Sequence, residues 1–145
     1  MTYEPLDIAI KAIARNAISA RRAITNFCLS NGFSTEQVFF IELATGEAIA
    51  NAIEHAYLNS AGLIHIAGLI ENNRLQITIE DFGEWREIIE VRENRGRGFL
   101  LMGELMDSYS LGHKVEGGTL ITLEMNLDKE QIIEITDISA TSEKL

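Results

Sequence analysis

A chain of 145 residues, 46% hydrophobic and 23% charged, is long enough for one domain with a real core and too mixed for a linker or a low-complexity segment. A net charge of −10 repels phosphate backbones and weighs against nucleic acid, although backbone amides and helix ends can still bind a nucleotide locally. No apolar run approaches the ~20 residues of a membrane span, no basic region precedes the apolar start, and Cys28 is alone, so a reduced, cytoplasmic setting is expected.

The first pattern covers residues 6 to 30. Leu6, Ile10, Ile13, Ala17, Ile24 and Phe27 recur at threes, fours and one seven, which predicts a helix with one apolar face. "NGF" at 31–33 stops it, with Gly32 suited to a left-handed cap. Ser34 and Gln37 in "STEQ" form a capping box for a second helix, expected from about 35 to 57. Its core stripe is Val38, Ile41, Ala44, Ala48 and Ala52.

The period then falls to two. "GLIHIAGLI" (62–70) and "RLQITIE" (74–80) flank "ENN" and predict a hairpin. Residues 81–98 read as a loop or short irregular helix, and "FLLMGELMDSY" (99–109) as helical. "YSLGHKV" and "TLITLEMNL" around "EGG" form a second hairpin, and 131–136 a further strand. Two hairpins plus helices predict an α+β fold: a two-layer α/β sandwich, its mixed, mostly antiparallel sheet covered on one face by helices. The whole chain is read as a single domain, with a core of about 6–127 and a C-terminal extension at 128–145.

Four short patterns carry chemistry. In "GEAIANAIEHAY" (46–57) Glu47, Asn51 and His55 stand one above the other, drifting about 40° per step. Singly, each is simplest as part of a solvated stripe. Together, beside Ala48, Ala50, Ala52 and Ala56, they allow close approach to the backbone. "EDFG" (80–83) ends a strand: Asp81 could accept from the exocyclic amine of a base, and Gly83 permits a sharp turn, although Asp and Gly are also ordinary turn residues. "RGRGFLL" (95–101) opens a helix with Gly96 and Gly98, flanked by Arg95 and Arg97, a geometry that faces amides toward an anion. It lacks the "GK[ST]" of a P-loop. "EGGT" (116–119) is a hairpin turn. His65 and His113 lack metal-ligand spacing and read as structural.

In order, Glu-x3-Asn-x3-His, Asp-x-Gly, Gly-x-Gly and Gly-Thr resemble the ATPase superfamily of gyrase, the heat-shock chaperone, mismatch-repair ATPases and sensor histidine kinases (the Bergerat-type, histidine kinase-like ATPase fold). Within it, "GEAIANAIEHAY" and "RGRGFLLMGELMD" look like the anti-sigma-factor serine/threonine kinases. The resemblance covers about residues 35 to 127. It implies ATP and Mg²⁺ as cofactors. Asn51 would hold the metal, an amide oxygen being a hard ligand suited to it. Glu47 would be the general base toward a serine or threonine hydroxyl. Asp81 would read the adenine amine, and Gly83 would let the ring pack. Gly96 and Gly98, with Arg97 between them, would contact phosphate. Thr119 would support the adenine end, and His55 belongs to the phosphate-side stripe.

The chain departs from the family at three points. Only about five residues precede the predicted first helix, which leaves the family's leading strand unassigned. Trp85 stands where glycine is frequent, and the lid at 84–95 is short. The last two features are similar to members working with serine phosphatases.

The implied function is a kinase acting on an anti-anti-sigma antagonist protein. The alternative is an ATP-gated switch that sequesters a sigma factor or regulates a phosphatase with little transfer. The third reading is the catalytic domain of a sensor histidine kinase. The sequence does not name the target, and a homodimer is compatible with it.

Overall fold

The computed structural model describes residues 4–56, 62–83 and 102–128. Strand β1 is Leu6–Lys11, followed by α1 (Ala14–Ser30), α2 (Thr35–Asn51) and a π-helical turn at Ala52–Ala56. Strands β2 (Leu63–Glu71), β3 (Arg74–Asp81), β4 (Ser108–His113) and β5 (Thr119–Asn126) complete it. The sheet has the order β1-β2-β3-β5-β4, and each neighbouring pair is antiparallel.

The expected helix over 6–30 is corrected at its start. Leu6, Ile8 and Ile10 alternate with Asp7, Ala9 and Lys11, and β1 pairs with β2 from Leu6↔Gly68 to Lys11↔Leu63. Positions 6 and 10 share a face in a helix and in a strand alike, so two apolar residues four apart do not separate the two. The leading strand that the resemblance implies is therefore β1. The expected helix at 99–109 is also shortened. Of its described residues, 102–109, only 102–105 are helical, and β4 has begun at Ser108. The strand expected at 131–136 lies outside the described residues.

The other boundaries reflect local chemistry. Gly32 adopts φ 90° after α1, and Phe33 N–H donates to the Cys28 carbonyl at 3.1 Å. Both halves of the Ser34–Gln37 capping box are present. The β2–β3 turn is narrower than "ENN": Asn72 and Asn73 carry it, both at positive φ (52° and 60°), which suits a tight two-residue hairpin.

One face of the sheet is apolar because period two puts alternate residues there. Ile66 pairs with Ile79 and Ile79 with Ile121, while Ile77 pairs with Leu123 and Leu75 with Met125. These side chains are buried under Ala20, Ile24 and Cys28 of α1 and Val38, Ile41, Ala44, Ala48 and Ile49 of α2. Each buried Ile or Leu contributes about 1.5–3 kcal/mol. Ile77→Ala would leave a cavity beneath both helices and cost about 2–5 kcal/mol. None of the described helices is long and apolar enough to cross a membrane.

Candidate functional site

Helix α2 is pinned at its first turn. Gln37 Nε2 donates to the Asn126 carbonyl at 2.9 Å, which seats the helix over the end of β5. Asn51 lies 14 residues further along, roughly 21 Å at helical rise. Strand β5, read backward from Asn126 to Thr119, covers about the same length. The helix is therefore long enough to span from Asn126 to the end of the sheet where β3 stops and β5 starts.

That end is polar and closed. Asn51 is 0% exposed, Asp81 2% and Thr119 1%. The Asp81 carboxylate is held by backbone: its Oδ1 accepts from Thr119 N–H at 3.2 Å and from Gly83 N–H at 3.3 Å. Gly83 thus closes the turn that Asp81 begins, in keeping with its position in "EDFG".

Asn51 differs. Neither its Oδ1 nor its Nδ2 has a hydrogen-bond partner, and the Thr119 hydroxyl has none either. A buried amide without partners costs about 1–3 kcal/mol, so a fold retains one where something else satisfies it. The solvated-stripe reading of Glu47, Asn51 and His55 therefore fails at Asn51. Glu47 lies one turn earlier and is half-buried. The helix changes hydrogen-bond register immediately after Asn51, in the π turn of Ala52–Ala56, and such turns are frequent at functional sites. His55 belongs to that turn; its side chain is outside the described atoms.

The structure thus brings Asp81, Gly83 and Thr119 together, and buries Asn51 at the end of α2 with Glu47 one turn before it. Gly96, Arg97 and Gly98 lie outside the described residues. Among the described residues no group of three or more His, Cys, Asp or Glu could hold a metal. A hard cation shared between one amide oxygen and substrate phosphates needs no such group, and the unpartnered Asn51 Oδ1 fits that role.

Gly118 is the glycine of the Gly-Thr pattern, and its place beside Asp81 depends on the fold. Its φ is 98°, and a Cβ there would lie 2.1 Å from the Asp81 carbonyl oxygen. Only glycine lets the β4–β5 turn press against the backbone of β3 at the point where Asp81 is held. The second glycine of "EGGT" is the available signal, but its meaning depends on a strand 37 positions away (118 − 81).

The profile of the histidine kinase-like ATPase domain matches residues 10–125. The anti-sigma F factor of Anoxybacillus flavithermus is 27% identical over 140 residues, spanning 88% of this chain and 96% of that protein. The anti-sigma F factor of Clostridium acetobutylicum is 28% identical over 134 residues, spanning 85% and 94%. That of Bacillus subtilis is 27% identical over 140 residues, spanning 88% and 96%. A solved structure of the RsbU and RsbW domains of Rv1364c from Mycobacterium tuberculosis superposes with a TM-score of 0.70 at 24% identity, over 86% of this chain and 32% of that one, a likeness of fold. With four-fifths of its length inside the family profile (116 of 145 residues) and a matching architecture, this chain belongs to the histidine kinase-like ATPase domain family.

Proposed function

We propose that this protein is an ATP-binding serine/threonine protein kinase of the anti-sigma-factor type, acting in the cytoplasm on an anti-anti-sigma antagonist protein. The observation that carries the reading is Asn51, fully buried with neither polar atom partnered. The similarity to anti-sigma F factors over nearly the whole chain supports the partner class.

In this reading Asn51 holds Mg²⁺, which when bound offsets charge on the ATP phosphates. Asp81, fixed by two backbone amides, accepts from the adenine amine, and the Thr119 hydroxyl completes the polar wall. ATP is preferred to GTP, because guanine carries an acceptor where adenine donates. Gly96 and Gly98 would contact the phosphates. The antagonist's hydroxyl oxygen bonds to the γ-phosphorus, the bond from that phosphorus to the β–γ bridging oxygen breaks, and ADP departs. Glu47 takes the hydroxyl proton.

The test separates binding from transfer. Calorimetry should show Mg-ATP binding, and a radiolabelled-phosphate assay should show transfer to the antagonist. Glu47→Ala should lower the transfer rate by roughly 10²-fold, toward the lower end for general-base loss because the transition state is loose, and leave ATP affinity intact. Wild-type protein that binds ATP but transfers nothing would make the chain an ATP-gated switch. Wild-type protein that binds no ATP would sink both readings.

A further inference from the structure

Asp81 is gripped from behind as well as from the site. In an extended chain residues 80 and 82 point away from the face that 81 occupies. Both are engaged by one side chain, Lys114. Its Nζ lies 2.9 Å from Glu80 Oε2 and 3.8 Å from the centroid of the Phe82 ring. The lysine side chain is 17% exposed and the glutamate 27%, so the pair is partly withdrawn from water and screened less than a surface pair. Phe82 is 57% exposed, and the Lys114 cation lies over its ring.

Lys114 is itself fixed by the turn that Gly118 presses onto β3. Lys114 N–H donates to the Gly118 carbonyl at 2.9 Å, and Gly117 N–H donates to the Lys114 carbonyl at 3.1 Å. The β4–β5 turn therefore meets the end of β3 in two ways at once. Thr119 N–H takes the Asp81 carboxylate on one face, and Lys114 takes Glu80 and Phe82 on the other.

We propose that Lys114 is a positioning residue for base recognition. By tying Glu80 to Phe82 it sets the direction of the Asp81 carboxylate, and so the selectivity of the site for adenine over guanine nucleotides. This rests on the reading of Asp81 as the adenine-binding carboxylate. Lys114 touches no nucleotide atom in this scheme and acts only through the turn.

The experiment is nucleotide titration of Lys114→Met and Lys114→Arg in the full chain, with ATP and GTP in parallel, beside amide hydrogen exchange at Thr119 and Gly83. Lys114→Met keeps the apolar stem and removes the charge. It should weaken ATP binding about five- to tenfold, leave the weak GTP binding unchanged, and so narrow the selectivity. It should also speed exchange of the two amides that Asp81 accepts from. Lys114→Arg keeps a cation that can pair with Glu80 and cover Phe82, and should restore both readouts. Glu80→Gln, should Lys114→Met not fold, removes the same tether from the other side and should also narrow selectivity. Unchanged ATP affinity and exchange in Lys114→Met, or an equal loss for ATP and GTP, would overturn the proposal. Wild-type protein that binds neither nucleotide would instead remove the adenine reading. Faster exchange at Thr119 and Gly83 in Lys114→Met would then show that the clamp itself stands.

Discussion

Two buried amides sit at opposite ends of α2, and the fold treats them differently. Gln37, 8% exposed, is fully employed. Its Nε2 donates to the Asn126 carbonyl, and its Oε1 accepts from Ser34 N–H and, at 3.4 Å, from Asp128 N–H. Asn51, 0% exposed, has no partner for either atom. One amide closes a helix start and ties it to the sheet. The other is held at the cost of its own desolvation. Burial alone says little about a polar side chain; the state of its hydrogen-bonding atoms separates a structural amide from one kept for a ligand.

The comparison breaks most sharply at Asn51. Asn51→Leu, nearly the same size, should weaken Mg-ATP binding by on the order of 10²-fold in calorimetry. Its urea midpoint should not fall, because two unsatisfied atoms leave the core with the amide. A variant that binds ATP normally, or that unfolds early, would make Asn51 a structural residue after all. Gln37→Leu should behave in the opposite way. It should lose about 1–3 kcal/mol of stability through the stranded Asn126 carbonyl and the lost cap, with ATP affinity unchanged.

Thr119→Val is a smaller version of the Asn51 change. It removes a hydroxyl without a partner, so stability should hold within about 0.5 kcal/mol, while ATP affinity falls by roughly fivefold, the worth of one hydrogen bond. The smallest effect is expected at Cys28. Burial pushes its thiol up to about 12, so the neutral, unreactive form persists across the pH range in which an exposed cysteine alkylates. Iodoacetamide should leave it unmodified in the native wild type at pH 8, and labelling should require opening of the core. Gln37→Leu should accelerate that labelling and Asn51→Leu should not.

Much of this was legible in the sequence where the determinants are local. The Ser34–Gln37 box, the Gly32 stop and both hairpins are decided by residues within a few positions of each other. Asn51 stood out through its spacing from Glu47 and His55. What escaped was non-local or ambiguous. Leu6 and Ile10 fit two periods, and pairing with Gly68 and Ile64 of β2 decided for the strand. Gln37 announced a cap but not its bond to Asn126, 89 positions away. Lys114 looks like an ordinary turn residue until β3 lies against it.

The π turn at Ala52–Ala56 has a consequence for how such a site can change over time. A wider turn accommodates one more residue than the α-helical path it replaces. Removing one residue between 52 and 56 would let the ladder return to ordinary spacing and leave the direction of the downstream chain nearly unchanged. Glu47 and Asn51 lie before the turn and would keep their places. The helix thus contains a joint that can absorb a single codon lost or gained without disturbing the residues behind it.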